Sequence, residues 1–70
     1  MVSLKVSGKK PTSQAVKSMK RTIRGIKKYG NEYTKNRYFV YEGSKIRAGQ
    51  SSKASAEKYM KKGFTLFSIK

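Results

Sequence analysis

Between Thr12 and Gly30, apolar residues recur at Ala15, Val16, Met19, Ile23 and Ile26, with Tyr29 in line, while every charged residue among them is basic. That spacing is one face of an α-helix. Thr12 or Ser13 is placed to cap its first turn through a hydroxyl that accepts an otherwise unpaired amide hydrogen, and Gly30 to end it at the C-prime position. A helix this amphipathic must bury its apolar stripe, so the rest of the chain has to supply a surface for it.

The surface is readable as strands. Val2 to Val6 alternates so that Val2, Leu4 and Val6 share a face, and Gly8 to Pro11 then breaks the pattern. Tyr38-Phe39-Val40-Tyr41 is the densest β-forming run, and Glu42 to Lys45 reads as a tight turn. A second hairpin strand is expected over Lys45 to Ala48, with Ile46 as its apolar anchor. Gly49 to Ser52 is a further break, after which Ser51 or Ser52 caps a helix whose Ala56, Tyr59 and Met60 share one face. Gly63 ends that helix, and Phe64 to Ile69 forms the last strand.

The order is therefore β-α-β-β-α-β over residues 1–70. At this length the chain has room for one domain with one small core. The expected fold is α+β, an antiparallel sheet with both helices on one face, ferredoxin-like or split βαβ. Alternate strand residues face opposite ways, so either Tyr38 and Val40 or Phe39 and Tyr41 point away from a single helix layer. Phe64, Leu66 and Ser68 are opposed in the same way to Thr65, Phe67 and Ile69. Some aromatic surface is thus expected to stay open, or to be used in the core or in a homodimer contact.

Charge decides the class of function. Eighteen Lys and Arg face three acidic residues, Glu32, Glu42 and Glu57, for a formal net charge of +15. An imbalance of this size works against compactness and suits a polyanionic partner. With no cysteine, histidine or aspartate, the chain offers no thiolate or imidazole metal ligands, no disulfide and no His-based catalytic scheme, and three scattered glutamates do not suggest a carboxylate metal site. The six glycines spell no nucleotide-binding loop. The reading is a non-enzyme without cofactor or metal. No apolar run approaches the ~20 residues of a membrane span, and no leader pattern is visible, so a cytoplasmic protein that does not engage membranes is expected.

The expected nucleic-acid contacts start on the first helix. Lys17, Arg21, Arg24 and Lys28 fall within about 60° of one another and extend roughly 16 Å along the axis, with Lys20 and Lys27 flanking them. Solvated helix faces usually mix signs at i, i+4, whereas these pairs are all of like charge. Arg37, Lys45, Arg47 and Lys53 extend the candidate set to the hairpin and the second helix. Fourteen of the cations are lysine and four arginine, a composition that suits phosphate contact with little base readout. If six cations of the helix and hairpin touch duplex phosphates, log K falls against log salt with a slope of about −5.

The expected partner is nucleic acid, DNA before RNA. The alternative is an acidic protein surface, on which a small phage- or bacteria-type protein would modulate a host enzyme, steered by its charge and anchored by a few exposed aromatics.

Overall fold

The structure, a computed structural model, describes residues 3–69. The order is β1 (Leu4–Gly8), α1 (Ser13–Tyr29), a 3₁₀ turn (Gly30–Glu32), β2 (Tyr38–Glu42), β3 (Lys45–Gln50), α2 (Lys53–Glu57) and β4 (Thr65–Ile69). The fold is α+β, and the β-α-β-β-α-β order is the expected one. Thr12 caps α1, its Oγ1 accepting from the Ala15 amide at 3.2 Å and sharing a 2.9 Å hydrogen bond with the Ser44 hydroxyl of the hairpin turn. Gly30 closes the helix by donating its N–H to the Ile26 carbonyl. The hairpin turn is the two-residue pair Gly43-Ser44, and Gly43 at φ 61° takes the positive angle that side chains disfavour.

The four strands form one antiparallel sheet in the order β1-β4-β2-β3. Two antiparallel steps make β1 parallel to β2 with β4 between them, and β3 parallel to β4 with β2 between them. This is a split βαβ unit twice over. A ferredoxin-like sheet would have its first and third strands at the centre; here β4 and β2 occupy it.

The two helices lie on opposite faces, not on one as the sequence suggested. Ala15, Met19 and Ile26 of α1 bury against Phe39, Tyr41, Phe67 and Ile69, with Leu4 and Ile23 at the margin. Ala56 of α2 buries against Val40 and Leu66, with Tyr38, Ala48, Met60 and Phe64 around them. The cause is in the central strands, which carry large apolar residues on both faces. A single helix layer would leave Val40 and Leu66 in water, and each fully buried side chain of this size contributes about 1.5–3 kcal/mol. The steps β1 to β2 and β3 to β4 run in opposite directions along the sheet from strands of opposite sense, so helices on one face would give both crossovers the same hand. With α1 and α2 on opposite faces, the two crossovers have opposite hands.

Other expectations shift more locally. Val2 lies outside the described residues, and β1 begins at Leu4 and runs on to Gly8. Ile46 does not anchor its strand; on the outer edge of the sheet it is 54% exposed. Tyr29, the last residue of α1, leaves the buried stripe and is also more than half exposed. α2 stops at Glu57, so Tyr59 is exposed while Met60 reaches the second core from the turn that follows. Thr65 is buried, and its hydroxyl donates to the Lys9 carbonyl at 2.8 Å, tying the end of β1 to β4.

Candidate nucleic-acid interface

At 100° per residue, the buried residues Ala15, Ile26 and Met19 occupy about 60° to 100° of the α1 wheel, whereas Arg24, Lys17, Lys28 and Arg21 occupy about 240° to 300°. The cation stripe is diametrically opposite the core. This follows directly from the local sequence: sheet burial uses one stripe, and the residues half a turn away are left pointing into solvent. All six α1 cations are exposed, and none has an acidic partner among the described residues.

Open concavities flank the stripe on both sides. One is formed by Gln14, Lys17, Ser18 and Arg21, the other by Lys20, Ile23, Arg24 and Lys27. Two tyrosines stand beside its C-terminal end. The Lys28 ammonium lies 5.3 Å from the Tyr29 ring centroid, a cation–π distance. The Tyr33 ring rests against the helix backbone at Gly25, where an added Cβ would come within 2.5 Å of it. Gly25 in mid-helix costs about 1 kcal/mol relative to alanine, and close approach of this ring is what its missing side chain permits.

The four remaining candidates are not brought to this surface. Arg37 is half-buried and occupied: its guanidinium donates to the carbonyls of Thr34 (2.7 Å) and Asn36 (2.9 Å) and to the Asn31 side chain (2.5 Å). It organises the connection between the 3₁₀ turn and β2. Arg47 sits at a bulge, unpaired between Ala48, opposite Val40, and Ile46, opposite Tyr41. It forms an exposed 3.4 Å ion pair with Glu42 and lines a concavity with Lys58, Tyr59, Lys61 and Phe64. Lys45 pairs with Glu42, next to Tyr41 in the strand and so on the face away from α1. Lys53 opens α2 and lines a concavity with Lys5, Ser7, Tyr38, Leu66 and Ser68.

The expected set thus divides. Lys17, Lys20, Arg21, Arg24, Lys27 and Lys28 form one surface, while Lys45, Arg47 and Lys53 belong to the opposite face of the sheet. Lys5, Lys58 and Lys61 join that second face, and the sequence reading did not single them out. For Lys5 a signal existed, since the alternation of β1 turns it away from Leu4 and Val6. Where its face would lie depended on strand order.

Among the described residues no helix is long and apolar enough to cross a membrane. No protein-family model, no curated protein and no solved structure matches this chain.

Proposed function

We propose that the protein binds nucleic acid, DNA in the first instance, mainly through phosphate contacts made by the outer face of α1. The observation that carries this reading is the uniform sign of that face: six exposed cations over about three turns, with no carboxylate among the described residues paired to them. Self-repulsion along α1 opposes folding, and a row of phosphates relieves it. Lysine predominates, so contacts are to the backbone and discrimination between sequences is small. The reading requires no chemistry beyond binding.

The test is an anisotropy titration of duplex DNA, single-stranded DNA and RNA of equal length across a salt series. Six phosphate contacts give a log–log slope of about −5 on the duplex. Replacing Lys17, Arg21, Arg24 and Lys28 together by Gln should make it shallower by about 3 to 4, with the far-ultraviolet circular dichroism unchanged. A wild-type slope shallower than about −2 removes α1 from the account.

Exposed Tyr29 and Tyr33 favour a second reading, in which the same face docks on an acidic protein surface, with cations steering and tyrosines anchoring. A partner recovered from lysate after exhaustive nuclease treatment would support it against the first.

A further inference from the structure

The face of the sheet opposite α1 is only half covered. Register places two cross-strand rows there. In one, Ser7, Leu66, Val40 and Ala48 lie side by side on β1, β4, β2 and β3; in the other, Lys5, Ser68, Tyr38 and Gln50 do. α2 sits on the first row through Ala56. At five residues it is about 7.5 Å long, too short to cover the second as well. What remains is an open concavity of about 240 Å³ lined by Lys5, Ser7, Tyr38, Lys53, Leu66 and Ser68.

We infer that this uncovered row is a binding site for an unpaired base of single-stranded nucleic acid, on the side of the molecule away from α1. The inference rests on the nucleic-acid reading above and adds to it a strand class and a second surface. Tyr38 is the platform. Its ring packs against the second core with part of its surface left open to the concavity, so it is held in place rather than free to collapse. Strand spacing puts the backbone of Lys5 about 10 Å from that of Tyr38, two strands across. A lysine side chain spans most of that distance and can meet the phosphate of a nucleotide whose base lies on the ring. Lys53 supplies a second cation from α2. Gln50, next to Tyr38 on β3, carries an amide suited to a base edge, and Ser68, between Lys5 and Tyr38, carries a hydroxyl. Aromatic ring, flanking cations and hydrogen-bonding groups on one open sheet surface are the elements by which single strands are held.

Two ligands separate this site from generic attraction to phosphate: an oligothymidylate of about eight nucleotides and an abasic deoxyribose-phosphate oligomer of the same length. Wild-type protein is expected to bind the thymidylate roughly 5- to 150-fold more tightly, the equivalent of one stacked base. Tyr38→Phe should keep that preference. Tyr38→Leu, which keeps an apolar group against the core, should abolish it and leave abasic binding unchanged. Equal wild-type affinities, or a preference that survives Tyr38→Leu, would overturn the proposal while leaving phosphate binding by α1 intact. Failure to bind either oligomer at low salt would overturn this site, and failure to bind duplex DNA under the same conditions would overturn the α1 reading as well.

A readout on the unaltered protein guards against a variant that does not fold. Ultraviolet crosslinking of 5-iodouracil-substituted single strands followed by peptide mapping is expected to mark Tyr38. Crosslinks confined to Tyr29, Tyr33 or Tyr59 would count decisively against the site.

Discussion

Leu66 and Phe67 are neighbours in the chain and members of different cores: Phe67 is fully buried beneath α1, and Leu66 is buried on the other face beneath α2. Phe67 also meets Tyr41 edge-to-face, with ring centroids 5.2 Å apart and planes at 82°. β4 is therefore buried on both sides, as is β2 beside it, where Phe39 and Tyr41 belong to the first core and Val40 to the second.

Truncating Phe67 should be close to lethal for the fold. Phe→Ala in a well-packed core costs about 3–5 kcal/mol, comparable with all that a domain of this size has in hand. Phe67→Ala is expected to lose most of its native circular dichroism at 25 °C. A cooperative thermal transition only a few degrees below wild type would show that this core is not the principal one.

Arg37, a binding candidate in the sequence, has its guanidinium engaged in hydrogen bonds within its own loop. Its three hydrogen bonds depend on a planar fork of donors that a lysine ammonium does not reproduce. Arg37→Lys should lower stability by about 1–3 kcal/mol in urea denaturation while leaving the salt slope of DNA binding unchanged. A stable variant with a slope shallower by about one would assign the residue to phosphate instead.

Gly25 and Tyr33 should be energetically coupled. Gly25→Ala adds about 1 kcal/mol of helix propensity, but its Cβ would displace the Tyr33 ring. The gain is expected in full only when Tyr33 is also replaced by Ala, and to be largely cancelled when the tyrosine is present. Denaturation of the four proteins of the cycle measures the coupling, and strict additivity would show that the ring does not rest on the helix.

Salt should stabilise this protein. A net charge of +15 is spread over a body of 33 × 26 × 18 Å with a single ion pair, between Arg47 and Glu42, among the described residues. Raising salt from about 0.1 M to about 1 M shortens the screening length from ~10 Å to ~3 Å and weakens mostly repulsive terms. The melting temperature in sodium chloride is expected to rise across that range. A flat or falling curve would mean that repulsion between these charges does not limit stability.

The features legible in the chain are those that depend on near neighbours. The register of α1, its Thr12 cap and Gly30 stop, the Gly43-Ser44 turn and the alternation of β2 and β4 all follow from residues within a few positions of one another. The α1 cation stripe was legible for the same reason, because a helix fixes the angle between Lys17 and Met19 without reference to anything else.

Tertiary structure alone decided which strands became central and which face each helix covered. Alternation says that Val40 and Phe39 part company, but not what waits on either side. That choice sent Lys45, Arg47 and Lys53 to the face opposite α1, drew Arg37 into a loop, and set Lys5, Ser68, Tyr38 and Gln50 in one row although the chain separates them by as many as 63 positions, from Lys5 to Ser68. Strand order depends on the burial available to the whole sheet, and no local window of the sequence contains that sum.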